Sequence, residues 1–83
     1  MNPTVYVTGE EQKAIRSMQR LAKKWPRSLW LFSWSGSLQI MKERPDGILV
    51  PLESVKGIPN DGGDPGSETV DVYNQTEIVF EED

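Results

Sequence analysis

The 83-residue chain contains neither cysteine nor histidine. Without cysteine there are no disulfides, thiolate nucleophiles or thiolate metal sites, and without histidine the commonest general base and imidazole ligand are missing. Most enzyme chemistry is thereby disfavoured. The remaining carboxylates, lysines, tyrosines and hydroxyls show no spacing that reads as a catalytic constellation. The expectation is a protein that is not an enzyme and takes no cofactor and no metal. No run approaches the roughly 18 apolar residues of a spanning helix, and the opening Met-Asn-Pro-Thr lacks the basic flank and apolar stretch of a signal peptide. The expected setting is cytoplasmic, with no membrane.

Hydrophobic residues make up 36% and charged residues 27% of the chain, enough for one small α+β domain with a thin core. At this size, burial against a partner or a second copy adds materially to stability. The net charge of −4 conceals a division. Residues 1–44 hold eight Lys/Arg against three Asp/Glu, and residues 45–83 hold one against ten.

Thr4–Val7 reads as a short edge strand from its β-branched and aromatic content. Thr8-Gly9-Glu10-Glu11 is a capping box, which starts a helix near Gly9. Ala14, Ile15, Met18, Leu21, Ala22 and Trp25 then recur at three- and four-residue intervals and form an apolar seam. Lys13, Arg16, Arg20, Lys23, Lys24 and Arg27 take the opposite side. Pro26 disfavours helical geometry at Trp25, so the helix ends near Lys24 or Trp25.

Leu29–Trp34 and Ser37–Glu43 flank the turn signal Ser35-Gly36 and predict a β-hairpin. With that turn, Leu29, Leu31, Leu38 and Ile40 share one face, and Trp30, Phe32, Trp34 and Met41 share the other. Arg44-Pro45-Asp46-Gly47 predicts a second turn, followed by a third antiparallel strand at Ile48-Leu49-Val50 that Pro51 ends or places at an edge. Leu52–Ile58 is open between a helical turn and an extended segment. The organisation expected is a helix, hairpin and third-strand core over 1–58 and a Gly/Pro/Asp-rich loop over 59–67. An acidic segment over 68–83 then forms either one or more strands, with Thr69–Tyr73 and Thr76–Phe80 strand-like, or a mobile tail.

Two surfaces carry functional expectations. A helix covers only one face of a sheet, so Trp30, Phe32, Trp34 and Met41 form a candidate protein-binding or self-association surface, tryptophan being enriched among interface anchors. The competing account is coverage by the loop after Val50 or by Val70, Val72, Ile78 and Phe80. Arg16, Arg20, Lys23, Lys24 and Arg27 form a candidate phosphate-contacting face, with nearby tryptophans as stacking platforms for unpaired bases. A sequence pI near 4.7 ranks nucleic acid second and a solvated helix face first. Asn60-Asp61-Gly62-Gly63-Asp64 lacks the alternating acids and closing glutamate of a calcium loop and reads as a turn.

The stretch Lys23-Lys24-Trp25-Pro26-Arg27-Ser28-Leu29-Trp30-Leu31-Phe32-Ser33-Trp34-Ser35-Gly36-Ser37-Leu38-Gln39-Ile40-Met41 resembles small uncharacterised proteins encoded by bacteriophages and prophages. The resemblance implies an accessory protein acting in the host cytoplasm, and it assigns no functional residue.

Overall fold

The computed structural model describes residues 2–34, 36–62 and 70–82. The chain is α+β, with strands β1 (Thr4–Val7), β2 (Leu29–Trp34), β3 (Ser37–Glu43), β4 (Leu49–Val55) and β5 (Glu77–Phe80), and an N-terminal helix, α1 (Gly9–Lys24). Two compact units divide it, one made of Met1–Trp25 with Ser67–Asp83 and the other of Pro26–Gly66.

In the first unit β1 and β5 pair in parallel, Val5 opposite Ile78 and Val7 opposite Phe80. Thr76–Phe80 therefore supplies a strand, whereas Val70–Tyr73 does not. Those residues form a bend and turn in which the Asp71 carboxylate accepts from the amides of Gln75 at 3.2 Å and Thr76 at 2.8 Å. A short carboxylate side chain satisfies local amides more readily than a strand ladder would. Residues 68, 69 and 83 of the expected C-terminal segment lie outside the described residues.

α1 starts and stops where its end signals place it. The Thr8 hydroxyl accepts from the Glu11 amide at 3.1 Å, and the Glu11 carboxylate accepts from the Thr8 amide at 2.9 Å, completing the capping box. Trp25 is extended at φ −67° and ψ 123°, as a residue before proline must be. The seam behaves differently from expectation. None of the sixteen helical residues is buried, and Ile15, Met18 and Leu21 stay about half exposed. Gln12, Ile15, Arg16 and Gln19 instead line a shallow open depression of about 310 Å³ against Phe80. At roughly 100° per residue these four sit at the border of the apolar stripe and the basic face, so Met18 and Leu21 fall outside it.

The second unit is an antiparallel sheet in the order β2-β3-β4. Trp34 pairs with Ser37, which leaves Ser35 and Gly36 as the hairpin connection, and Gly36 takes φ +82°, a conformation that glycine adopts without strain. Ser35 itself lies outside the described residues. The second turn closes through a Gly47 amide to Arg44 carbonyl bond of 2.9 Å, with Gly47 at φ +89°. β4 is longer than the sequence indicates. It runs through Pro51 to Val55, which settles Leu52–Val55 as extended. Pro51 is accommodated because β4 is an edge strand and the ladder shifts register between Ile40 and Met41, so a bulge absorbs the missing donor.

Candidate functional site

Directly opposed residues of an antiparallel pair share a face, so the register places every side chain of the sheet. Trp30 opposes Met41, Phe32 opposes Gln39, and Trp34 opposes Ser37. The aromatic triad and Met41 therefore lie together, as the alternation predicts. Leu29, Leu31, Leu38 and Ile40 occupy the other face.

Burial separates the members of the site. Trp30, Phe32 and Trp34 are 50%, 36% and 56% exposed, while Met41 is buried at 7%. Met41 lies in the central strand β3 opposite Trp30, and at that burial it is not part of the accessible surface. The rings stand on β2, which among the described strands pairs with β3 alone. Val70, Val72, Ile78 and Phe80, the alternative cover for this face, are themselves exposed.

Beside the aromatic row runs a polar one. The Gln39 amide donates to the Ser37 hydroxyl at 2.9 Å and accepts from the Ser54 hydroxyl at 3.2 Å. Alternation alone had not marked these residues as part of the site, because their role appears only once β4 is paired to β3. The face thus joins a row of flat apolar rings to a row of satisfied hydroxyl and amide groups. Such a surface adheres by burying aromatic area and leaves few polar groups to be desolvated without partners.

The loop after β4 braces the hairpin from the side of Ser33. The Ser33 hydroxyl donates to Asn60 Oδ1 at 2.6 Å, and Asn60 Nδ2 donates to the carbonyls of Gly36 at 2.9 Å and Ile58 at 3.0 Å. Asn60 is thus a structural brace. Residues 63–67 of the expected 59–67 loop, with Gly63 and Asp64, lie outside the described residues.

The candidate phosphate-contacting set is divided. Arg16, Arg20, Lys23 and Lys24 lie on one exposed face of α1, with the Arg20 guanidinium donating to the Ser17 hydroxyl at 3.1 Å. Arg27 does not continue that face. The helix has ended by then, and Arg27 sits in the turn closed by the Leu29 amide and the Pro26 carbonyl at 3.1 Å. The helical cations belong to the first unit, and Arg27 and the aromatic triad to the second.

Two carboxylates are shifted. The Arg44 guanidinium hydrogen-bonded to Asp46 holds that carboxyl below its usual value, assisted by the Ile48 amide. A Thr76 side-chain hydrogen bond, then the Gln75 amide, lowers Asp71. Both groups are exposed turn residues, and neither adjoins the aromatic row in sequence.

The chain matches no protein-family model, no curated protein and no solved structure. Among the described residues no group of three or more acidic side chains is placed to hold a metal ion, and no helix is long and apolar enough to cross a membrane.

Proposed function

We infer that this chain is a non-enzymatic protein-binding or regulatory module whose contact surface is the aromatic face of β2. The observation that carries the reading is the exposure of Trp30, Phe32 and Trp34 in one row on a paired strand. Strand pairing fixes the backbone beneath them, so little conformational freedom is lost when a partner covers the rings. Met41 shares the face of the row and is buried. The lack of cysteine and histidine favours binding over catalysis, and the shifts of Asp46 and Asp71 have structural causes. On the resemblance of residues 23–41 to phage-encoded proteins, such a module would act in the cytoplasm of an infected host.

The test is a Trp30→Ser/Trp34→Ser double substitution. Proteins retained from host extract by the wild-type chain are lost by the variant, while its far-ultraviolet circular dichroism is unchanged. Collapse of the folded spectrum assigns the rings to the core and overturns the reading.

Nucleic-acid binding through Arg16, Arg20, Lys23, Lys24 and Arg27 is the second reading, favoured by the shared exposed face of the helical cations. Its weakness is charge. The aromatic unit carries Arg27, Lys42, Arg44 and Lys56 against Glu43, Asp46, Glu53, Asp61 and Asp64, whereas stacking platforms for single strands work inside positive grooves. A titration of single- and double-stranded probes that shows no binding at low salt removes this reading.

A further inference from the structure

We propose that the exposed apolar stripe of α1 rests on the surface of an anionic phospholipid bilayer, with the helix lying in the plane of the headgroups. Every residue from Lys13 to Lys24 is exposed, so the stripe that a sheet was expected to cover stays in water. At roughly 100° per residue, Ala14, Ile15, Met18, Leu21 and Ala22 occupy about 120° of the helix circumference, and Lys13, Arg20, Lys23 and Lys24 occupy about 100° on the opposite side. Helices of this build lie in bilayer interfaces, with apolar side chains among the upper acyl chains and long cationic ones reaching to the headgroups. A chain with no spanning run can lie on a bilayer in this way without crossing it. The surface is separate from the aromatic face of β2, so it goes beyond the protein-binding reading.

Charge selects the lipid. From Gln12 to Lys24 the helix carries five cations and no acid. Its acids, Glu10 and Glu11, are in the first turn, and Glu81 is tied to that same end through Gln12. The C-terminal half is therefore the part drawn to anionic headgroups, each cation near such a surface strengthening adsorption about fivefold.

Other occupants fit less well. A nucleic acid would neutralise the cations and leave the stripe in water, and a second copy of α1 would cover the stripe while bringing another set of cations beside the first. A groove in an acidic protein meets both needs, but it encloses a helix from several sides. In α1 one side is taken, because Gln12, Ile15 and Gln19 line the depression against Phe80. Ile78, two residues before Phe80 and hence on the same face of β5, is also exposed, so apolar surface continues from the helix onto the strand. A broad surface approached from one side fits a bilayer.

The test is sedimentation of the full chain with vesicles of phosphatidylcholine alone and of phosphatidylcholine and phosphatidylserine in equal parts. The wild type should pellet with the second and not the first, and it should be released as salt rises. Lys23→Gln/Lys24→Gln should weaken that binding about thirtyfold, and Met18→Gln/Leu21→Gln on the order of tenfold or more, with far-ultraviolet circular dichroism unchanged in the absence of lipid. Should either variant unfold, amide exchange of wild-type α1 decides: it slows on adding phosphatidylserine vesicles if the helix docks, and unchanged exchange overturns the docking. No binding to either vesicle, equal binding to both, or full binding by folded Met18→Gln/Leu21→Gln overturns the proposal. A host protein retained by the wild type and lost on Met18→Gln/Leu21→Gln, with no vesicle binding, overturns it in favour of a protein groove. Trp30→Ser/Trp34→Ser should leave vesicle binding unchanged, so failure here and failure of the face reading are told apart. Loss of vesicle binding in that variant moves the lipid contact to β2 and overturns the assignment to α1.

Discussion

The side-chain amide of Gln12, in the first turns of α1, donates to the carbonyl of Glu81 at 2.5 Å, across 69 positions of sequence. The same nitrogen donates to the carbonyl of Val7 at 3.2 Å, and the Glu81 amide donates to that carbonyl at 2.9 Å. One glutamine thus ties the helix to the ends of both parallel strands. Gln12→Ala should lower stability by about 1 kcal/mol, and the loss should concentrate in β5. Faster amide exchange over Glu77–Glu81, with α1 exchange unchanged, is the expected measurement. Uniform acceleration across both elements would contradict this account.

Asn60 does the corresponding work for the hairpin. It is half buried and joins Ser33, Gly36 and Ile58, and its Oδ1 accepts from the Gly62 amide at 3.2 Å. Asn60→Ala removes these bonds and leaves the Ser33 hydroxyl without its acceptor. A loss of about 1–2 kcal/mol in urea unfolding is expected. Asn60→Asp should cost nearly as much, because a carboxylate accepts from Ser33 but cannot donate to two carbonyls.

Asp71 makes the turn before β5 sensitive to acid. Its folded pKa lies below the ordinary aspartate value of about 3.9. The carboxylate's contribution is therefore fully present above that value and is lost as pH falls through the lower folded value. Acidification should speed amide exchange at Gln75 and Thr76. Asp71→Asn should show the faster exchange already at neutral pH and respond less to acid.

Much of this molecule is legible locally. The capping box at Thr8 and Glu11, the helix stop before Pro26, the hairpin that pairs Trp34 with Ser37 and the two faces of β2 and β3 are each set by neighbours a few residues apart, and the structure has them all. β4 is legible at its start but not at its end, because a proline in a strand is tolerated or rejected according to whether that strand lies at an edge. The division between exposed rings and buried Met41 was likewise closed to sequence reading. Alternation gives a side chain's face, while burial depends on how many strands flank it.

What the sequence alone determined was where elements begin, stop and turn, since capping, proline geometry and glycine's positive φ act over one or two turns of chain. Only the tertiary structure decided that Glu77–Phe80 joins β1 in parallel, that the apolar stripe of α1 stays exposed, and that Gln12 and Asn60 act as braces. These outcomes depend on contacts between residues tens of positions apart, and no local preference encodes which distant segment will supply the partner.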